Sequence, residues 1–159
     1  MLEHQSMVFS IARRIVRDPS LAEEIAQDVF LELHDALPSL ASEDHVVHWL
    51  RRVTVHRAID EARRMLRRPQ DHAAVSFATP GVAEPAAEMR NRDPWLASRL
   101  RTMVDALPVM PRTVMVLRYQ EELMPEEIAA VLEMPVATVK SHLQRSLKVL
   151  RAKAARLRG

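Results

Sequence analysis

The chain contains no cysteine and only two glycines, Gly81 and Gly159. Without cysteine it can form neither a disulfide nor a thiolate metal site, which is consistent with a reducing cytosol. A signal peptide and an apolar run of 18 residues are also missing, so we expect a soluble protein that is not exported by that route. The expected location is therefore the cytoplasm.

Residues that favour helices dominate the composition, and no segment shows the sustained alternation of a half-buried strand. An all-α protein is therefore expected. Residues 69–93 contain prolines and small residues that break any helical period, so we interpret them as a linker that is flexible when free. The sequence predicts two small helical domains, residues 1–68 and 94–159, joined by this linker.

Charge is segregated along the chain although the net charge is only +2. Six acidic residues and no lysine or arginine lie between Asp18 and Asp35. Seven arginines face two acids between Arg51 and Arg68, and seven basic residues face none between Lys140 and Arg158. Alternating blocks of opposite charge imply two kinds of partner, one basic and one a polyanion such as nucleic acid.

Three helices are predicted in the first domain: Leu2–Arg17, Pro19–Ala36 and His45–Arg68. Asp18 is placed to cap the second helix, with Pro19 at its first position. The outward face of that helix is mostly acidic and carries an apolar residue, Leu31. This face is either a docking surface or simply a solvated one.

The third helix places an aromatic ring beside several cations. A ring can stack on an unpaired base while guanidinium groups bind phosphates, which suits single-stranded or melting DNA. Alternatively, Trp49 is a core residue and the arginines keep the helix soluble. The polar residues after Trp49 are Arg51, Arg52, His56, Arg57, Arg63 and Arg64.

In the second domain, the residues from about Pro94 predict an amphipathic helix. Pro108 to Pro111 are expected to interrupt it, and a further helix is predicted from Arg112 to Tyr119. The segment from Arg151 to Arg158 is interpreted as a basic tail.

Residues 123–151 predict two helices joined by a short turn. Pro125 marks the start of the first helix, and Pro135 prevents it from continuing beyond the turn. The second helix opens at Val136, and its apolar side carries Val139, Leu143, Leu147 and Leu150. Its other side carries Lys140, Ser141, Gln144, Arg145 and Lys148. A basic, hydrogen-bonding second helix indicates a helix-turn-helix that binds the DNA major groove, whereas an ordinary helical hairpin with a solvated face is the alternative.

No catalytic constellation emerges from the sequence. His45 and His48 have helical spacing, but nothing specifies the further ligands that a metal site needs. Neither a glycine-rich phosphate loop nor a nucleophile–base signature is present. We therefore predict no enzyme activity, no cofactor and no metal site.

Three segments together carry a family resemblance. They are ARRIVRDPSLAEEIAQDVFLEL, HWLRRVTVHRAIDEARR and LPVMPRTVMVLRYQEELMPEEIAAVLEMPVATVKSHLQRSLKVLR. In this order they resemble regions 2 and 4 of the sigma-70 family, specifically the short extracytoplasmic-function (ECF) sigma factors. The resemblance covers nearly the whole chain except the linker.

The resemblance implies partners for each charged block. The helix similar to region 2.2 is expected to bind the β′ clamp helices of core RNA polymerase through Glu24, Gln27, Asp28, Leu31 and Glu32. The helix similar to regions 2.3 and 2.4 is expected to bind and help open the −10 promoter element through Trp49, Arg51, Arg52, His56, Arg57, Arg63 and Arg64, with Asp60 as a further candidate. The loop from Leu40 to His45 is a candidate for holding a flipped base.

Region 4 of the family reads the −35 element with its second helix and also docks on the β flap. The matching residues are Thr138, Lys140, Ser141, His142, Gln144 and Arg145. An anti-sigma factor is a further expected partner. The resemblance implies no small-molecule substrate.

The chain departs from the family pattern at several positions. Glu121 and Glu133 stand where glycine is common, and His56 stands where asparagine is common. Ala137, His142 and Val46 replace a common glycine, a common arginine and a frequent aromatic residue. These differences affect the expected promoter sequence and the turn geometry, not the class of protein.

Two other functions remain open at this point. A stand-alone helix-turn-helix regulator would bind operator DNA without polymerase, but it leaves the acidic helix and the Trp49 helix unexplained. A sigma mimic would instead sequester an anti-sigma factor without supporting transcription.

Overall fold

The computed structural model describes residues 2–67 and 94–158, so the predicted linker lies outside the described residues. Within those two ranges all regular structure is helical, which confirms the all-α prediction. The first range, which we call the N-terminal unit, contains α1 (Leu2–Val16), α2 (Pro19–Ala36), a 3₁₀ turn (Leu37–Ser39) and α3 (Glu43–Leu66). The second range, the C-terminal unit, contains α4 (Pro94–Asp105), α5 (Val109–Met115), a π-helical turn (Val116–Gln120), α6 (Pro125–Leu132) and α7 (Val136–Arg158).

Side-chain caps fix the starts of α2 and α3. Asp18 Oδ1 accepts hydrogen bonds from the backbone N–H groups of Ser20 and Leu21, at 3.0 and 3.4 Å, and α2 has the predicted bounds. Ser42 Oγ accepts from the backbone N–H of His45 at 3.2 Å. Because this cap lies upstream of the predicted start, α3 begins at Glu43, and the last three residues of the proposed base-holding loop are helical.

The predicted interruption at Pro108 to Pro111 is wrong in its extent. Helix α5 begins at Val109, so Pro111 is its third residue. The first four N–H groups of a helix have no partner within the helix, and a proline in this turn therefore costs no internal hydrogen bond. The helix then widens into the π-helical turn, which ends with the Glu121 N–H donating to the Val116 carbonyl at 3.2 Å.

Three turns use left-handed backbone geometry without glycine. The φ angles of Arg17, Glu122 and Glu133 are 61°, 57° and 56°. Left-handed geometry costs a residue with a Cβ roughly 1–2 kcal/mol. Charged residues occupy all three positions, and two of them make contacts: Arg17 donates to the Asp105 carbonyl, and Glu133 lies 3.9 Å from His56 Nε2.

A single apolar cluster extends through both units. Ile11, Leu50 and Val55 of the N-terminal unit are fully buried, as are Leu117 and Ile128 of the C-terminal unit, and all five belong to this cluster. The two predicted small domains therefore pack directly against each other. A smaller cluster joins α4, α5 and α7 through Met103, Leu107, Met115 and Leu150.

Helix α3 is covered on two sides. Its apolar spacing indicates that Val46, Val53 and Met65 lie on or near its buried side, and the structure has these three residues half-buried. Three residues outside that apolar pattern, Thr54, Val55 and Ile59, are buried as well. A helix that packs against both α1 and the C-terminal unit has a wide buried surface, which a search for one apolar stripe underestimates.

Reciprocal arginine contacts join the two units. Arg112 of α5 is 5% exposed and donates hydrogen bonds to the carbonyl of Leu107, at 2.7 Å, and to the carbonyl of Ile15 in the last turn of α1. In return, Arg17 donates to the carbonyl of Asp105, the last residue of α4, at 2.5 Å. A cation at a helix C-terminus donates to carbonyls that have no partner in the helix and interacts favourably with the helix dipole. Arg112 therefore caps α1, and Arg17 caps α4.

Burial shifts the ionisation of this contact region. Desolvation raises the pKa of the Asp105 carboxyl, although the nearby Arg14, Arg17 and Arg112 oppose the shift. Desolvation also lowers the pKa of Arg112 to about 10, so its guanidinium remains charged at neutral pH. Arg14 Nη2 lies 3.4 Å from Asp105 Oδ1 as an ion pair.

We expect the substitution Arg112→Met to lower the free energy of unfolding by about 3 kcal/mol, since it leaves the Ile15 and Leu107 carbonyls without a charged donor. Urea unfolding followed by circular dichroism measures the change. Arg52→Met is the matched control because Arg52 is exposed. A change for Arg112→Met no larger than that of the control would contradict the capping role.

The raised pKa of Asp105 predicts a specific pH dependence. The unfolded chain ionises this carboxyl at a lower pH than the folded chain does, so wild type loses stability relative to Asp105→Asn as pH rises from about 4 through the folded pKa. Urea unfolding of both proteins across this pH range gives the difference. The assignment would be overturned if the stability of wild type relative to Asp105→Asn stays constant or rises with pH.

Candidate polymerase and nucleic-acid interfaces

Helix α2 presents an acidic face with an exposed leucine at its centre. Ile25, Val29 and Leu33 of the opposite side are buried in the core. On the outward side Glu24, Gln27, Asp28 and Leu31 are exposed and Glu32 is half-buried. Leu31 is 69% exposed, the highest value among the exposed large apolar residues of the described chain. The five predicted polymerase-binding residues thus lie on one surface.

Arg57 connects this acidic face to α3. Its guanidinium forms an ion pair with Glu32, and its Nη1 lies 3.8 Å from Asp28 Oδ2. The structure therefore brings together a predicted DNA-binding residue and two predicted polymerase-binding residues. A partner that binds either carboxylate competes with Arg57.

The other predicted −10 residues differ in accessibility. Arg52, Arg63 and Arg64 are exposed, and Arg64 pairs with Glu61 one turn away. Trp49 is half-buried and packs against the apolar cluster, so part of its ring has a structural role. Asp60 is exposed beside them.

The remaining two residues predicted to bind the −10 element, Arg51 and His56, make contacts with the C-terminal unit. Arg51 Nη2 lies 3.3 Å from Glu121 Oε1, and the two side chains are 15% and 10% exposed. His56 Nε2 lies 2.8 Å from the Val131 carbonyl, near the C-terminus of α6, and 3.9 Å from Glu133 Oε2. Glu121 and Glu133 are positions where the sequence departs from the expected glycine.

Helices α6 and α7 form the predicted helix-turn-helix. The Glu127 carboxylate accepts from the Met124 N–H at 2.7 Å at the start of α6, and the left-handed Glu133 ends the helix. The buried Val139 fixes the orientation of α7. The outer side of α7 carries the six predicted −35 residues: Thr138, Lys140, Gln144 and Arg145 are exposed, whereas Ser141 and His142 are half-buried.

The predicted basic tail is a continuation of α7. The helix runs unbroken from Val136 to Arg158, about 34 Å in length. Arg151 and Arg156 are exposed on this extension. The polar helix continues because residues 151–158 contain only helix formers and no proline or glycine.

His142 contributes less positive charge to the α7 face than an ordinary histidine would. Burial lowers its pKa below the usual 6.5, and the adjacent Arg145 lowers it further. The permanent cations among the six predicted −35 residues are therefore Lys140 and Arg145.

Within residues 2–67 and 94–158, no cluster of three or more histidine, aspartate or glutamate side chains could hold a metal ion. The same part of the chain contains no helix that is long and apolar enough to cross a membrane.

The sequence pattern did not identify every residue at the junction between the units. Ser10 and Gln120 are hydrogen-bonded at 3.0 Å across 110 residues, and Arg112 reaches Ile15 across 97. No local pattern indicates such pairs. Glu121 and Glu133 could be singled out from the sequence, because each stands where glycine is common, but their contacts with Arg51 and His56 could not be.

The fold and these surfaces define a helical protein with a helix-turn-helix unit and a separate acidic face on α2. The profile of sigma-70 region 2 matches residues 1–68, and the profile of sigma-70 region 4 matches residues 97–150.

Two bacterial relatives match over almost the whole chain. RNA polymerase sigma-H factor of Pseudomonas aeruginosa is 25% identical over 94% of this chain and 81% of that protein. The ECF RNA polymerase sigma-E factor of Escherichia coli strain K12 is 27% identical over 94% of this chain and 82% of that protein. The chain belongs to the sigma-70 family, in its ECF group, and is a sigma factor.

A solved structure supports the fold independently. The sigma factor RpoE from Bartonella quintana, crystallised with the anti-sigma factor NepR, aligns with a TM-score of 0.72 at 16% identity. The alignment covers 95% of this chain and 91% of that one.

Proposed function

We propose that this sigma factor binds core RNA polymerase through the acidic face of α2 and reads promoter DNA through α3 and α7. The observation that carries the proposal is Leu31, which is 69% exposed among carboxylates on a helix whose other side is fully packed. In this division of labour, residues 1–68 act as region 2, residues 69–93 link the domains, and residues 94–159 act as region 4.

The α2 face has the chemistry of a docking surface for a basic partner. Burying a leucine side chain contributes about 1.5–3 kcal/mol, which an exposed Leu31 makes available to a partner. The surrounding Glu24 and Asp28 would attract positive charge and set the orientation. The β′ clamp helices of core polymerase are the proposed partner.

The two DNA surfaces suit different forms of the promoter. Helix α7 presents Lys140, Gln144 and Arg145 as exposed side chains of one continuous helix, which suits major-groove recognition of the −35 duplex. Helix α3 presents Trp49 with several arginines, which suits the unpaired bases and phosphates of the −10 element. Captured bases would offset the unstacking cost of a few kcal/mol per step, so strand opening needs no catalytic residue.

Three further assignments belong to this proposal. The chain is not an enzyme itself, it works in the cytoplasm where core polymerase is found, and an anti-sigma factor is a regulatory partner. The last point is supported by the Bartonella quintana relative, which was crystallised with one.

The polymerase interface can be tested with Leu31→Ser. We expect the affinity for core polymerase to fall by about 10- to 150-fold, because burial of the leucine contributes about 1.5–3 kcal/mol. Co-elution with bacterial core polymerase on a sizing column, followed by titration, measures it. The matched control is Leu66→Ser, since Leu66 is 62% exposed at the end of α3.

If Leu31→Ser and Leu66→Ser lose the same affinity for core polymerase, the assignment of the polymerase interface to α2 is wrong. If inhibitor-free wild-type protein fails to co-elute at all, the stand-alone DNA-binding regulator becomes the better interpretation. Palindromic binding by a dimer would support that rival directly.

The −35 assignment predicts that Arg145→Ala changes base preferences in the −35 duplex. The holoenzyme can be presented with randomised promoter duplexes and the bound fraction sequenced. Removing this cation should also reduce the salt slope of duplex binding by about 0.9 for each phosphate that is no longer neutralised. Arg63→Ala is the charge-matched control on α3 and should leave −35 preferences unchanged; an unaltered profile for Arg145→Ala would refute the role.

A further inference from the structure

Lysine is rare in this chain and occurs on one helix. Among its 23 lysines and arginines, only Lys140, Lys148 and Lys153 are lysines. All three lie on α7, where Lys140 and Lys148 are exposed and Lys153 is half-buried. A reaction that modifies lysine side chains but not arginine is therefore confined to the helix that we propose for −35 recognition.

Lys148 lies between two arginines. Residues three apart on a helix are neighbours, with Cβ atoms about 5–6 Å apart. Arg145 and Arg151 therefore flank Lys148, one on each side, and both are exposed. We call these three residues the basic triad.

The other two lysines have fewer charged neighbours. Lys140 has no charged residue three or four positions away in either direction. Lys153 has one, Arg156, and is itself less exposed than Lys148. The three lysines thus form a graded series on a single helix, which provides internal comparisons for Lys148.

The needs of the helix itself do not explain the basic triad. Helix α7 contains no acidic residue, so the triad has no ion-pair partner on its own helix. The helix dipole favours cations within the last turn, whereas Arg151 lies seven residues before the end of α7 at Arg158. Leu150 on the opposite side is buried against α4 and α5, so the triad faces water. Three adjacent like charges at a fixed surface attract an anion.

An amine between two guanidinium groups suits an acyl phosphate as the anion. Guanidinium groups bind phosphate oxygens through paired N–H donors, which brings the acyl carbon close to the Lys148 amine. The unprotonated amine attacks this carbon, the bond between the carbon and the phosphate oxygen breaks, and inorganic phosphate leaves with the bonding electrons. The attacking nitrogen releases its proton to water, and the lysine becomes a neutral amide.

We propose that Lys148 is an acylation site for acyl phosphates, and that its modification weakens the binding of α7 to duplex DNA. The effect on DNA rests on the proposed role of α7 in −35 recognition. Acylation removes the lysine charge, so the helix neutralises fewer DNA phosphates. The neighbouring arginines guide the reagent and are not modified themselves.

The first measurement compares reaction rates within one protein. The full chain is treated with acetyl phosphate, and peptide mass spectrometry follows acetylation at each lysine. Lys148 should react about fivefold faster than Lys140, which is the scale of surface charge attraction. N-acetoxysuccinimide, an acetyl donor without a phosphate group, should modify these two exposed lysines at similar rates.

A pair of arginine variants tests the guiding role. Arg151→Gln removes one neighbour of Lys148 and should slow its reaction with acetyl phosphate. Arg156→Gln is the matched control, because it removes one exposed cation from the same helix but lies eight residues from Lys148. It should leave the rate at Lys148 unchanged. Circular dichroism verifies that both variants keep their helix content.

The second measurement tests the effect on DNA. Lys148→Gln reproduces the loss of charge on acylation, and Lys148→Arg keeps the charge. The affinity of the full chain for a duplex is measured over a range of salt concentrations. Lys148→Gln should reduce the salt slope by about 0.9 for each phosphate that is no longer neutralised, and Lys148→Arg should leave it unchanged.

Three results would overturn the proposal. The first is equal reaction rates at Lys148 and Lys140 with acetyl phosphate, and the second is the same preference for Lys148 with N-acetoxysuccinimide. The third is an unchanged salt slope in Lys148→Gln. The −35 assignment is tested separately by Arg145→Ala: if that variant changes base preferences while Lys148→Gln leaves the salt slope unchanged, the acylation proposal fails and the −35 assignment stands.

Discussion

The arrangement of the whole molecule depends on the buried guanidinium of Arg112. Burying a charged group is costly unless it has hydrogen-bond partners, and Nη1 and Nη2 of Arg112 have the carbonyls of Leu107 and Ile15. The second carbonyl belongs to α1, so α5 must lie against the end of that helix. With α5 placed there, the following turn and α6 lie along α3, and the contacts at Arg51 and His56 follow.

The candidate surfaces are consequently connected through shared side chains. Arg57 lies between α2 and α3, where its guanidinium pairs with Glu32 and its Nη1 lies 3.8 Å from Asp28 Oδ2. Arg51 and His56 of α3 likewise contact the C-terminal unit, at Glu121 and at the Val131 carbonyl. These contacts at α3 do not involve the predicted −35 residues of α7.

Features determined by neighbouring residues could be predicted from the sequence. Asp18 and Pro19 define the start of α2, and the helix-turn-helix follows from Pro125 and Pro135. Features determined by distant partners could not be predicted. The wide buried face of α3 results from packing against the C-terminal unit, which follows it by many residues. In the sequence, the buried Arg112 cannot be distinguished from a surface arginine. The exposed faces of α2 and α7 could therefore be predicted, but not the contacts of Arg51 with Glu121 and of His56 with the Val131 carbonyl.

The contact between Ser10 and Gln120, 110 residues apart, has a consequence for synthesis on the ribosome. Translation proceeds at about 5–20 residues per second, so the N-terminal unit emerges on the order of ten seconds before the segment that covers it. During that interval α3 has folded partners in α1 and α2 but its other apolar side is open to water. The nascent chain thus passes through a stage with an uncovered apolar side of α3, which ends only when translation supplies the rest of the protein.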